Sequence, residues 1–164
     1  MPIAWYDRNK SITRFLTANH RHMNAGVGFS LDNLTGCNNG PVYHSYGNST
    51  PQSYANYQWL QSVRVFVNGT VAALVHNEFK GDFEGGPKSA YCSKRYKHGQ
   101  ATCEMWSTGL AVAFDGGQHF KLAQSPPKHL VAALPYTFVK DQPTAGYGAI
   151  SSILRGADGA FCTC

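Results

Sequence analysis

Apolar and polar residues alternate through positions 62–67, stop at Asn68-Gly69, and resume as the largely apolar run 71–79, whose far end carries His76, Asn77 and Glu78. A period of two broken by Asn-Gly predicts two antiparallel strands joined by a two-residue hairpin turn. The pattern then recurs. Residues 109–114 read as a third strand, Asp115-Gly116-Gly117 as a turn, and residues 119–123 as a fourth strand. Four strands in a meander make one blade of a β-propeller, so residues 59–123 are predicted to form one complete blade.

Weaker versions of the same pattern flank it. Trp5-Tyr6 leads through the polar stretch 7–10 into a strand at 12–18, which ends at Asn19-His20-Arg21-His22. Residues 27–34 read as a third strand with its exit turn, and 42–46 as an outer strand. Residues 47–57 are a polar connection containing Pro51. Past Ala123, Ser125-Pro126-Pro127 breaks the sheet, 130–134 is a short apolar run, and a third hairpin turns at Gly156-Ala157-Asp158-Gly159. The expected fold class is therefore all-β: about two to two and a half four-stranded antiparallel β-propeller blades. They fall at residues 1–46, 59–123 and 147–164 of a partial propeller domain covering 1–164. Propellers close with about four blades or more, so the ring is not closed by this chain. The expectation is a fragment of a longer protein, or else an oligomer that covers the open blade edges.

Composition agrees with a turn-rich β protein: 17 Gly and 8 Pro accompany only 14% charged and 13% aromatic residues. The net charge of +5 raises the question of a polyanionic partner, yet positive charge gathers only at residues 88–98. No basic helix or RNA-binding aromatic signature accompanies it, so no nucleic-acid partner is expected. No apolar run approaches the ~20 residues of a membrane span, and no membrane association is expected. Residues 1–6 lack the charged start and apolar stretch of a signal peptide. Asn-X-Ser/Thr sequons nevertheless begin at Asn9, Asn33, Asn48 and Asn68, more than the roughly one expected by chance, which favours an extracellular or secreted protein.

The cysteine count of 5 leaves at least one unpaired within the chain. Cys92 and Cys103 enclose a short polar loop and are predicted to form a disulfide, whereas Cys162 and Cys164, two apart on one strand, are poorly placed to bond each other. The enclosed Lys94, Arg95, Lys97 and His98 form either a basic lip beside a pocket or a solvated loop pinned for stability.

His76 and Glu78 are the foremost candidates for chemistry, because residues two apart on a strand share a face. His20 and His22 repeat that spacing and are candidates for the same pocket. Tyr91, Trp106 and Arg95 complete the expected substrate-binding set, while Trp59 reads more readily as packing between blades. Asp82, Glu84 and Glu104 lie in the loop that follows and could approach the same pocket, but read at least as well as solvated loop charges. No metal site and no cofactor are expected.

Residues 73–81, 109–120 and 127–136, with the His-Asn-Glu strand, the cysteine-closed loop and the Asp-Gly-Gly turn in one order, resemble uncharacterised proteins with the five-bladed β-propeller of arabinanase and levansucrase-type glycoside hydrolases. Enzymes of that wider group place carboxylates from successive blades around the propeller axis. The resemblance implies Glu78 as the general acid with His76 supporting it, and a second carboxylate from outside this chain. The function expected is thus glycosidic bond hydrolysis in the full-length protein. The alternative is a noncatalytic propeller that binds glycans or another protein through the same pocket.

Overall fold

The structure is a computed structural model that describes residues 3–7, 10, 12–19, 22–36, 40–45, 50–53, 57–81, 91–93, 103–135, 137–147 and 152–162. Among these residues it is all-β, with two short 3-10 turns and no α-helix. Its blade-like sheets are mainly antiparallel and do not close into a barrel.

The central sheet contains β6 (Tyr57–Val65), β7 (Val71–Lys80), β8 (Glu104–Ala113) and β9 (Lys121–Leu122), side by side in the order expected for a meander. Two further strands join it. β10 (Leu130–Ala132) runs antiparallel and β11 (Ala145–Gly146) parallel to β8, so three short strands share the outer edge of one long one. The β6–β7 turn is a three-residue loop, Val67 to Gly69, rather than the two-residue turn expected. Gly69 adopts φ +84 and donates to the Phe66 carbonyl, Phe66 donates to the Thr70 carbonyl, and the Asn68 side chain accepts from Thr70. This is a type I turn followed by a left-handed glycine. The hairpin β12 (Leu154–Arg155) and β13 (Phe161–Cys162) repeats it: Gly159 at φ +83 donates to Gly156, and Asp158 takes the role of Asn68.

The first sheet contains β1 (Ile3–Asp7), β2 (Ile12–Asn19), β3 (His22–Gly28), β4 (Thr35–Gly36) and β5 (Tyr43–His44). Asn19 pairs with His22 across the β2–β3 turn. His22 therefore opens the third strand rather than extending the second, while His20, the other member of the expected pair, lies outside the described residues. The sequence misleads here because the β3 stretch, His-Met-Asn-Ala-Gly-Val-Gly, has no clean alternation.

An extra residue, Gln61, bulges from β6 between the pairs Leu60–Val75 and Ser62–Leu74. The bulge turns Leu60 and Val63 to the same inner face, beside Val71, Ala73 and Val75 of β7 and Ala111 and Ala113 of β8. Leu16, Met23, Ala25 and Tyr43 of the first sheet pack against them. Val42 ties the halves together, donating to Met23 at 2.8 Å and accepting from Phe120 at 2.7 Å. A smaller apolar cluster, Phe79 and Met105 with Tyr91, Leu130 and Phe138, occupies the other end of the same inner face.

Between the two apolar clusters runs a buried polar row. The Tyr43 hydroxyl donates to Gln58 Oε1 at 3.0 Å, Gln58 Nε2 donates to Asn77 Oδ1 at 2.7 Å, and Asn77 Nδ2 donates to Ser107 Oγ at 3.2 Å. Burial pushes the Tyr43 phenol well above its usual range, so the row begins with a protonated donor.

Cys92 and Cys103 form a disulfide with their Cα atoms 5.9 Å apart. It is fully buried at the head of β8, where Gly81 donates to the Cys103 carbonyl at 2.8 Å. Closing so short a loop should contribute about 2–3 kcal/mol. Unfolding in urea with and without reductant is expected to show that difference, with the 92–103 cross-link recovered in non-reducing peptide maps; free thiols at both positions would contradict it. Cys162 is a free thiol and exposed.

Candidate functional site

Strand pairing fixes which side chains meet on the outer face of the central sheet. Tyr57 lies opposite Glu78, which lies opposite Trp106; Trp59 lies opposite His76; Lys80 lies opposite Glu104. All seven have the parity opposite to the core residues Val75 and Ala111, so they gather on the outer face of the sheet, where Trp59 also reaches the main core.

The cluster is well packed and charged. His76 Nε2 stands 3.0 Å from Glu78 Oε1, and Lys80 Nζ stands 2.8 Å from Glu78 Oε2 and 3.6 Å from Glu104 Oε1. Burial alone would raise the Glu78 carboxyl, but the contacts from His76 and Lys80 outweigh it and hold the group below the usual carboxylate range. Lys80 responds in the opposite sense: burial would lower it, and Glu78 with Glu104 holds it above its ordinary value. The ionised Glu78 accepts, so His76 Nε2 carries the proton. Lys80 Nζ also lies 5.5 Å from the Tyr57 ring centre and 5.9 Å from that of Trp59. Trp59 stacks on His76 at 5.8 Å, and Trp106 meets His76 edge-on at 5.8 Å.

Two ring nitrogens at this junction, His76 Nδ1 and Trp106 Nε1, are buried without a hydrogen-bond partner among the described residues. The indole N–H donates, and Nδ1 accepts in a neutral imidazole and donates in a protonated one. The Lys80 side chain is 23% exposed, more than those of its ion partners Glu78 and Glu104.

Of the residues singled out in the sequence, His76, Glu78 and Trp106 come together. Tyr91 does not: its ring packs edge-on against Phe79 and Phe138, on the opposite face of the sheet from Glu78. Trp59, read as packing, does pack against the main core and also stacks on His76 within the cluster. His20, Arg95, Asp82 and Glu84 lie outside the described residues, and His22 is placed only by its backbone, opposite His44. Glu104, read as either a pocket candidate or a solvated loop charge, is the first residue of β8, mostly buried and joined to the cluster through Lys80. Lys80 and Tyr57 were missed altogether. Lys80 was open to the same two-residue rule that joined His76 to Glu78, since it is the next residue of that parity.

Three cavities lined by described residues lie elsewhere, beside Tyr43 and Phe120, beside Arg14, and beside Phe161. In one further group, Cys92, Cys103 and Asp141 have ligand-type atoms within 4.8 Å of one another, but the two sulfurs are bonded to each other and Asp141 binds the Ser93 hydroxyl and amide. Comparison with known protein families, curated proteins and solved structures finds no match for this chain.

Proposed function

We propose that the chain binds carbohydrate through the outer face of its central sheet. The observation that carries this reading is the pair of buried ring nitrogens without hydrogen-bond partners among the described residues, His76 Nδ1 and Trp106 Nε1, beside the ionised Glu78. Sugar hydroxyls both accept and donate, so they suit these ring nitrogens and can donate to Glu78. Aromatic walls from Tyr57, Trp59 and Trp106 suit the apolar faces of a sugar ring. An extracellular or secreted location goes with the proposal, because the disulfide fits an oxidising compartment.

Glycoside hydrolysis is the second reading, favoured by one observation: a second carboxylate, Glu104, shares Lys80 with Glu78. It differs in one respect from the role implied by the family resemblance. A general acid must hold a proton near neutral pH, and Glu78 is held in the opposite direction, so Glu78 suits the base or nucleophile rather than the acid.

A glycan array and a broad hydrolysis screen on one preparation test both readings, with Glu78→Gln as the variant. Loss of a charge-assisted hydrogen bond is expected to weaken binding by about 10- to 100-fold while the fold is retained. Turnover that disappears in Glu78→Gln while binding persists would favour the hydrolase. Glycan binding that is indifferent to the substitution would remove Glu78 from the site.

A further inference from the structure

The outer face of the central sheet changes character between the carboxylate cluster and the β6–β7 turn. Ala72 and Leu74 keep the parity of His76, with Arg64 opposite Ala72 and Leu110 opposite Leu74. The hairpin β12–β13 lies against this end of the sheet, where its Phe161 ring meets Phe66 edge-on at 5.5 Å. A cleft of about 330 Å³ opens between hairpin and sheet. Phe66, Leu74, Leu110, Val131, Ile153 and Phe161 make it apolar, and no residue of the Glu78 cluster lines it. Val131 and Phe161 are exposed, so this rim faces solvent.

Among the described residues, Arg64 is the one charged group in this lining. Its guanidinium carbon lies 5.4 Å from the centre of the Phe161 ring. The ring face attracts the charge but gives the N–H groups no lone pair. Arg64 Nε is buried without a hydrogen-bond partner, and no hydrogen bond or ion pair engages the rest of the side chain among the described residues. A guanidinium is permanently charged and can only donate, so a buried Nε–H without an acceptor carries a desolvation cost that an anion would remove.

An apolar cleft with one unneutralised cation in its wall matches a molecule that is apolar along its length and anionic at one end. We propose that the cleft binds a linear aliphatic carboxylate, a free fatty acid, with the carboxylate on Arg64 and the alkyl chain along Leu74, Leu110, Val131 and Phe161. Nε–H and one terminal N–H of the guanidinium form a fork that matches the two carboxylate oxygens. The volume falls at the low end of ligand pockets, about 300–1,000 Å³, which suits one alkyl chain rather than a two-chain lipid. This site is independent of the carbohydrate reading, and failure of either leaves the other intact.

An NMR titration of the full chain tests the assignment. The probes are octanoate, octanol and octylammonium, each below its micelle concentration, with acetate as the charge without the chain. Saturable shifts at the amides of Arg64, Leu74, Leu110, Val131 and Phe161 are expected with octanoate. Octanol should bind at least about tenfold more weakly, octylammonium more weakly still, and acetate not at all. Arg64→Met keeps the apolar stem and is expected to bind octanoate and octanol alike. Should that variant fail to fold, Val131→Glu alters an exposed residue at the rim and is expected to weaken octanoate about fivefold or more through like-charge repulsion, and octanol less. Equal affinity of the unaltered chain for octanoate and octanol would overturn the proposal, as would an octanoate affinity unchanged in either variant. Shifts at these amides that follow protein concentration without any probe would assign the cleft to a second copy of the chain and overturn it equally.

Discussion

Lowering the pH from 7 to 4 is expected to cost the fold about 3 kcal/mol through one residue, His129. Its side chain is 1% exposed, and neither ring nitrogen has a hydrogen-bond partner among the described residues. Burial pushes its pKa down from 6.5 to about 4. The unfolded chain therefore takes up a proton below about pH 6.5 that the folded chain refuses until about pH 4. Stability from this source is complete above pH 6.5, falls progressively between 6.5 and 4, and changes no further below. Glu78 acts in a separate window: its carboxyl is lowered from 4.5, so its contribution is present above that value and is lost only at more acid pH. Urea unfolding at pH 7, 5.5 and 4 checks the assignment. His129→Leu should flatten the slope between 6.5 and 4, and an unchanged slope in that variant would mean that another group carries it.

The second large effect is expected at Asn77. Its amide is fully buried, accepts from Gln58 and donates to Ser107. Truncation to alanine leaves the Gln58 amide and the Ser107 hydroxyl without those partners in the interior and opens a small cavity. The expected cost is about 3–5 kcal/mol, a large share of the ~5–15 kcal/mol that holds a typical domain together. Ser107→Ala removes one bond at the end of the row and should cost only about 1 kcal/mol. Chemical denaturation of the two variants gives the comparison. Equal and small losses in both would show that the row is not a structural element. Gly109 belongs to the same neighbourhood: a Cβ there would lie 2.9 Å from both Asn77 Nδ2 and His129 Cδ2, so the close approach of amide and imidazole depends on its missing side chain.

The central meander was legible because two turn signals bracket strands with a clear period. Residues 62–67 and 71–79 could not be helical, and Asp115-Gly116-Gly117 stopped β8 where the structure stops it. His76 and Glu78 were placed together by parity alone. Parity fails wherever an unmarked irregularity intervenes. Gln61 carries no signal for a bulge, and β11 is two residues, Ala145-Gly146, with no pattern to read. Glu104 could be placed beside Lys80 only by knowing the register across the stretch 81–103, and register is set by long-range pairing rather than by local composition. The buried state of His129 was equally hidden, since a lone histidine after Pro-Pro carries no period. The three-residue turn at Val67 to Gly69 shows a finer limit: Asn-Gly specifies that the chain reverses, but whether the loop holds two residues or three follows from which flanking residues close the ladder, and Val67 is fully exposed as the third.

The long strand β8 has its outer edge covered in three separate stretches, by β9 at Ala111 and Val112, by β10 near Thr108 and Gly109, and by β11 at Met105 and Trp106. An uncovered edge of that length would template pairing with another chain. Covering it with independent short segments has a dynamic consequence, because each can detach without disturbing the other two. Amide protection along β8 should then fall into three zones with separate opening free energies rather than one. The zone under β11 contains Trp106 and adjoins Glu104, so the strand end that builds the carboxylate cluster can breathe while the end that builds the core stays closed.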